Sequence, residues 1–228
     1  MENTKRLISV GEAISKTNSL TSKGLGLFIL ISAIYGVLEA LINLIPYQFT
    51  SPSSIIISIT FTVISVLLLP PLFVGILIWA VLKLDKGEKP DLNESFNIAL
   101  QRLPKLLWTT ILQIVFILVG LIFLIIPGIV LGVWFFAAEY LVVEKNLGPW
   151  EALMESKKLI HGNFFSVFLL SLIILVFLAL VLGISQLLFV NLLGLKILGD
   201  FISSTLIILI PTVFGFVVYK SLINLRSA

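Results

Sequence analysis

The residues of this sequence best suited to chemistry are polar side chains inside an apolar stretch. Glu39 lies within the first such stretch, and Tyr35 and Asn43 flank it at four-residue spacing. This spacing places all three on one helical face, and a carboxyl group inside hydrocarbon is costly enough that a function is its default interpretation. The face predicts a polar site for a proton, a cation or a lipid headgroup. The alternative is an interior carboxyl that hydrogen-bonds to neighbouring helices and stabilises their association.

Glu139 is the second acidic residue of interest, but it lies nearer to the end of its apolar stretch and is the weaker candidate. Prolines interrupt two other stretches, Pro70 and Pro71 in one and Pro211 in the other. In transporters, matching helix interruptions in the repeats leave backbone groups unpaired, and these groups bind substrate or ions. Prolines can also simply kink membrane helices. The pattern therefore predicts helix breaks and leaves both roles open.

Other kinds of chemistry lack the necessary residues. The chain contains no cysteine, which excludes disulfides, thiolate catalysis and cysteine-ligated metals. Its one histidine, His161, cannot form a multi-histidine metal site. We find no Gly-x-Ser-x-Gly elbow and no glycine-rich phosphate loop. We therefore predict a protein that is not an enzyme and that holds no cofactor or metal ion.

The composition is typical of a membrane protein. Hydrophobic residues make up 59% of the 228 residues and charged residues 12%, whereas soluble domains average about half apolar and a quarter charged. Apolar runs of about 20 residues span hydrocarbon and predict an all-α polytopic fold with six transmembrane helices. The predicted spans are 25–46, 55–82, 104–126, 128–143, 164–189 and 199–223. Residues 184–199 could instead lie on the outer surface, but we expect them to extend span five.

The basic residues indicate how the spans are oriented. Fourteen of the 15 lysine and arginine residues fall on one side, and only Lys196 falls on the other. Basic residues near span ends are retained in the cytoplasm, so both termini should be cytoplasmic. Residues 1–24 should form a cytoplasmic segment with a short amphipathic helix, and 25–228 the transmembrane domain. Membrane lipids and other membrane proteins are the expected partners; the scattered lysines argue against nucleic acid.

Three inner segments share a helix-start pattern in which a glutamate follows an N-cap residue by three positions. The pairs are Ser9 and Glu12, Asp91 and Glu94, and Gly148 and Glu151, the last with Pro149 between them. This spacing is typical of a helix cap and predicts interfacial amphipathic helices at 91–103 and 149–161. Span two and span six also share a proline, Pro71 and Pro211. The chain is therefore predicted to contain three tandem units, each an interfacial helix plus a transmembrane hairpin.

The region around the fourth span combines a turn, aromatic residues and a helix cap. The residues are Pro127, Gly128, Ile129, Trp134, Phe136, Glu144, Gly148, Pro149, Trp150, Glu151, Ala152, Leu153, Ser156, Gly162, Asn163 and Phe164. This pattern resembles the membrane-domain superfamily of glycerophosphoryl diester phosphodiesterases. The resemblance implies a six-helix protein of the prokaryotic cell membrane. Some members carry a catalytic domain, but 228 residues leave no room for one, so we expect no hydrolase activity here.

Two functions remain open. The first is a non-enzymatic membrane protein that interacts with lipids or envelope proteins through its inner interfacial helices and positively charged face. The second is a small transporter or permease with a path past Glu39, Asn43 and the proline-interrupted spans two and six. Lateral grooves and sealed ends would favour lipid binding, whereas a continuous polar cavity reaching Glu39 would favour transport. A lipid-modifying enzyme is disfavoured because catalytic groups are scarce.

Overall fold

The computed structural model describes residues 9–43 and 51–227, and every regular element in these ranges is helical. The α-helices are α1 (Val10–Ile42), α2 (Pro52–Val63), α3 (Leu69–Asp85), α4 (Leu92–Phe123), α5 (Ile125–Trp134), α6 (Ala138–Lys145), α7 (Pro149–Ile160), α8 (Phe164–Ser185) and α9 (Lys196–Ser227). A π-helical segment (Ile64–Leu68) joins α2 to α3, a short 3-10 helix (His161–Asn163) joins α7 to α8, and a second π-helical segment (Gln186–Leu192) extends α8. The prediction of an all-α fold is confirmed.

Within residues 9–43 and 51–227, five helical segments are long and apolar enough to cross a membrane. They are Val10–Ile42, Leu92–Phe123, Ile125–Lys145, Pro149–Phe189 and Lys196–Ser227. The predicted span 55–82 falls on α2, the first π-helical segment and α3, which follow one another without a break from 52 to 85. Helices suit hydrocarbon because they satisfy their backbone hydrogen bonds internally. The end of the predicted span 25–46, like residues 1–8 of the predicted N-terminal segment, lies outside the described residues.

The predicted helix caps are present. At the start of α1, the Ser9 hydroxyl accepts a hydrogen bond from the Glu12 amide at 3.3 Å, and the Glu12 carboxylate accepts one from the Ser9 amide at 2.9 Å. At the start of α4, the Asp91 carboxylate accepts from the Glu94 amide at 2.9 Å. At the start of α7, the Glu151 carboxylate accepts from the Gly148 amide at 3.1 Å. These acidic residues satisfy amides that a helix leaves without internal acceptors.

The first two predicted interfacial helices are not separate elements, because each continues into the helix that follows it. The helix α1 is continuous for 33 residues and α4 for 32 residues, through Pro104. Each is about 50 Å long at 1.5 Å per residue, longer than the ~30 Å hydrocarbon core. Pro104 cannot donate to the carbonyl of Leu100, but Leu100 is exposed, so that carbonyl can meet water or headgroups. Only α7 stands as a short helix of its own, close to the predicted 149–161.

A tight hairpin joins α4 to α5, with its turn slightly earlier than predicted. Leu124 adopts an extended conformation between the two helices, and Pro127 lies in the first turn of α5, where helix amides lack internal acceptors. Gly120 and Gly128 face each other across the hairpin: a Cβ atom built on Gly120 would lie 2.8 Å from the Gly128 Cα. The pair lets the two helices meet backbone to backbone.

The predicted span 128–143 is bent, because a turn separates α5 from α6. Ser156 of α7 holds this bend from the side. Its hydroxyl donates to the Trp134 carbonyl at 2.7 Å and accepts from the Ala137 amide at 3.0 Å. The hydroxyl thus pairs two peptide groups that the helix interruption would otherwise leave unpaired.

The buried core lies between α1, α3, α6, α7 and α9. Every residue of α9 from Thr212 to Tyr219 is buried. By contrast, α4, α5 and α8 expose large apolar side chains such as Ile122, 81% exposed, and Phe165, 78% exposed. In a membrane these side chains face lipid, where their exposure has no hydrophobic cost.

Candidate functional site

The predicted polar face of α1 is buried only in part. Tyr35 and Glu39 are 7% and 9% exposed, and the Tyr35 hydroxyl lies close enough to interact with the Glu39 carboxyl. Asn43 instead caps the end of α1, where its backbone amide donates to the Glu39 carbonyl at 2.9 Å and its side chain is exposed. The structure therefore brings Tyr35 and Glu39 together and leaves Asn43 at the end of the helix.

Tyr35 also borders a cavity of about 430 Å³ between α1, α3, α6 and α9, which we call the central cavity. Its polar lining comes from Tyr35, Glu139, Tyr140 and Thr212, and two of the predicted helix-breaking prolines, Pro70 and Pro211, complete it. Glu39 does not line it. From the sequence, Glu39 was the stronger candidate for a polar site and Glu139 the weaker one. In the structure Glu139 lines the cavity, because the bend before α6 turns it that way.

Two polar side chains of α4 form hydrogen bonds to the Glu139 side chain and to the backbone of the bend before it. The Thr110 hydroxyl donates to the Glu139 carboxylate at 3.1 Å, and one turn further along α4 the Gln113 side chain donates to the Phe135 carbonyl at 2.8 Å. Sequence reasoning missed both residues. Their spacing of three within span three places them on one face, and this was the signal available.

The two proline sites differ in structure. Pro70 and Pro71 follow the π-helical segment Ile64–Leu68, which is a recognised way of fitting a proline into a helix. Pro211 lies inside α9, which continues unbroken from Lys196 to Ser227. The predicted break at Pro211 is therefore wrong. Pro211 still gives no amide hydrogen to the Ile207 carbonyl, and both residues line the central cavity.

The end of the central cavity toward Lys220 is covered by stacked and charged side chains. The Tyr140 hydroxyl donates to the Thr212 carbonyl at 3.2 Å, and the Tyr140 ring stacks on Tyr219 with centroids 5.4 Å apart. The Tyr219 hydroxyl and the Lys220 ammonium both donate to the Glu144 carboxylate at 2.5 Å. These contacts join α6 to α9 on that side of the cavity.

Lateral grooves lie between the spans. One of them, which we call the α1–α8 groove, has a volume of about 430 Å³. One edge is polar, with Ser15, Asn18 and Thr21 of α1, and the opposite wall is apolar, with Phe177 of α8 and Phe214 of α9. A smaller groove of about 240 Å³ separates α5 from α8.

The residues that carry the family resemblance have structural roles in this fold. The Lys157 ammonium lies 4.3 Å from the centroid of the Trp134 ring, and Glu144 is the acceptor described above. The other members of the motif form the hairpin or the start of α7: Pro127, Gly128, Gly148, Pro149 and Glu151. Phe136 also carries the resemblance, and it lines the central cavity. In residues 9–43 and 51–227, no group of three or more acidic or histidine side chains could hold a metal ion.

No protein-family model, curated protein or solved structure matches this chain. The resemblance to the membrane-domain superfamily of glycerophosphoryl diester phosphodiesterases stays a prediction. Function therefore has to be inferred from the grooves, the central cavity and their charges.

Proposed function

We propose that this chain is a non-enzymatic protein of the prokaryotic cell membrane, with six spans in three tandem units and both termini in the cytoplasm, and that it binds lipids between its spans. Besides the five long helical segments, the helical stretch from 52 to 85 can form one more span, which is predicted span two. Its 34 residues extend well beyond the ~30 Å of hydrocarbon even with a π-helical segment. Six spans also leave 14 of the 15 basic residues on one face, as the positive-inside rule requires.

The α1–α8 groove is the observation that carries lipid binding. It opens between helices that can cross a membrane, so its occupant comes from the bilayer. Its apolar wall at Phe177 and Phe214 fits part of an acyl chain, while Asn18 and Thr21 on the other edge offer hydrogen bonds to a glycerol or headgroup oxygen. An amphipathic groove of this kind matches the two-part chemistry of a lipid better than that of a second helix.

The inner surface adds a cation for an anionic headgroup. The Arg102 guanidinium lies 5.1 Å from the centroid of the Trp79 ring, whereas the nearby Lys83 ammonium is already paired with Glu88 and Glu94. One buried guanidinium nitrogen of Arg102 has no hydrogen-bond partner within the described part of the chain, and a phosphate oxygen would satisfy it. Interfacial tryptophan and arginine are the residues expected at this depth of a bilayer.

A photoreactive phospholipid tests the groove. The protein is reconstituted in lipid nanodiscs with a phospholipid that carries a diazirine on one acyl chain, and the adducts are mapped by mass spectrometry. We expect adducts to concentrate on Phe177 and Phe214, and an Asn18→Trp variant, which fills the groove, to remove them. Gly26→Trp is the matched control, because a side chain added at Gly26 meets nothing within 4 Å. Adducts spread evenly over all lipid-facing helices would contradict the proposal.

A small transporter or permease is the second candidate, and the central cavity favours it. The path would pass Glu39 and Asn43 and the proline sites of spans two and six. The covered end toward Lys220 would then have to open, with Tyr140 and Tyr219 moving apart during the cycle. Proteoliposome flux that is present in the wild type and lost in Glu39→Gln would support this candidate, and flux unaffected by the substitution would exclude this path.

A further inference from the structure

The central cavity is large enough to hold a small molecule. Its volume of about 430 Å³ lies within the ~300–1,000 Å³ of typical ligand sites. All four helices around it, α1, α3, α6 and α9, belong to the buried core, so its walls are already formed. The occupant of such a site must match the few polar groups that line it.

The one ionisable carboxyl in this lining is Glu139, and it lacks a cationic partner. None of the ion pairs found in residues 9–43 and 51–227 includes it, and its hydrogen-bond donor is the neutral Thr110 hydroxyl. Glu144, five residues further along α6, is by contrast paired with Lys220. A carboxyl group inside a membrane either pairs with a positive charge or stays protonated, and a cationic ligand is the partner that would hold Glu139 in its charged form.

Aromatic rings surround the same carboxyl. Tyr35, Phe136 and Tyr140 line the cavity together with Glu139, and the rings of Phe136 and Tyr140 have centroids 6.1 Å apart. Ring faces attract organic cations, most strongly where water is excluded. The rings and the carboxylate therefore favour a cation with an apolar surface over a hydrated metal ion.

The depth of the cavity argues against a lipid headgroup as the source of that cation. Glu139 precedes Lys145 by six residues, or ~9 Å along a helix. Pro211 precedes Lys220 by nine residues, or ~14 Å. Measured from these lysines, Glu139 lies about a third and Pro211 about half of the way across hydrocarbon ~30 Å thick. A headgroup amine attached to a lipid would have to leave the interface to reach them.

We propose that the central cavity binds a small organic monocation, with the charge balanced by Glu139 and the apolar part packed against Tyr35, Phe136 and Tyr140. This site is distinct from the lipid groove between α1 and α8 and does not depend on lipid binding there.

Phenyltrimethylammonium is a suitable probe, because tert-butylbenzene has nearly the same shape without the charge. Binding of the radiolabelled cation to protein in nanodiscs is measured by equilibrium dialysis, with empty nanodiscs as the background. We expect saturable binding that tert-butylbenzene does not displace. Glu139→Gln should weaken it about thirtyfold, the equivalent of ~2 kcal/mol for the loss of one partner of a buried charge pair. Glu88→Gln, the same change of charge in an exposed loop, should leave it unchanged.

A second variant keeps the test decisive if Glu139→Gln does not fold. Phe136→Leu removes one ring face and should weaken binding about three- to tenfold, while the exposed Phe165→Leu should have no effect. Three results would each overturn the proposal. They are unchanged binding in Glu139→Gln, displacement by tert-butylbenzene with an affinity equal to that of the cation, and a loss of binding confined to Glu39→Gln.

Discussion

Replacing Gly120 by alanine should push α4 and α5 apart. A Cβ atom at this position would lie 2.8 Å from the Gly128 Cα and 2.9 Å from the Gly128 amide nitrogen. Carbon atoms in contact prefer ~3.5–4.0 Å, so the helices would have to separate by roughly 1 Å. The obstructing atoms belong to the backbone of Gly128, and no side-chain rotation can move them away.

The cost follows from this overlap. Forcing an extra methyl group into a packed interface costs about 1–3 kcal/mol, and the better helix propensity of alanine recovers at most ~1 kcal/mol. We therefore expect Gly120→Ala to lower the free energy of unfolding by about 1–2 kcal/mol. Gly132→Ala, also in this hairpin, is the matched control. Its Cβ would meet only an Ile117 side-chain carbon at 3.8 Å, an ordinary contact, so it should be neutral or slightly stabilising.

Both variants can be compared by reversible unfolding in mixed detergent and lipid micelles, followed by tryptophan fluorescence. The reasoning predicts a clear loss for Gly120→Ala and none for Gly132→Ala. Equal stabilities of the two variants would refute the backbone contact between α4 and α5, and with it the tight hairpin.

Three further substitutions test other parts of the fold by the same unfolding measurement. Lys220→Met leaves Glu144 without its cation and should lower the free energy of unfolding by about 1–3 kcal/mol. This is less than for a fully buried pair, because both side chains keep some exposure. A cost near zero would contradict a stabilising Lys220–Glu144 pair. Ser156→Ala unpairs two peptide groups at the bend before α6 and should cost about 1–3 kcal/mol, and a neutral result would contradict that role. The Lys83 ammonium lowers the pKa of the Glu88 carboxyl. This pair should therefore stabilise the fold at pH values above the usual carboxyl pKa of ~4.3. The stabilisation should be lost as the pH falls through the lowered pKa of Glu88. The difference in unfolding free energy between wild type and Glu88→Gln should therefore shrink on acidification. A difference that grows would contradict a stabilising Lys83–Glu88 pair.

The features that the sequence predicted well depend on residues close together in the chain. The caps at Ser9, Asp91 and Gly148 form between positions three apart, so their spacing is sufficient to recognise them. The hairpin between spans three and four was recognised from Pro127 and Gly128 for the same reason. Its turn was placed slightly too late, because proline is tolerated in the first turn of a helix as well as between two helices.

The features that the sequence could not predict depend on distant contacts. The bend that turns Glu139 into the central cavity is held by Ser156, which lies 17 residues further along the chain. The continuity of α9 through Pro211 depends on the packing around it, since proline alone favours a kink. Ranking Glu39 above Glu139 was reasonable from depth in the apolar stretch, but only the assembled bundle shows which carboxyl meets the cavity.

Membrane topology is the central claim, and cysteine labelling tests it most directly. The chain contains no cysteine, so single substitutions give unambiguous signals. Ser51 and Lys89 flank the helical stretch from 52 to 85, and six spans place them on opposite faces. We expect Ser51→Cys to react with a membrane-impermeant maleimide in intact cells, and Lys89→Cys and Ser227→Cys to react only after permeabilisation. Labelling of Ser51→Cys and Lys89→Cys from the same side would contradict the six-span account.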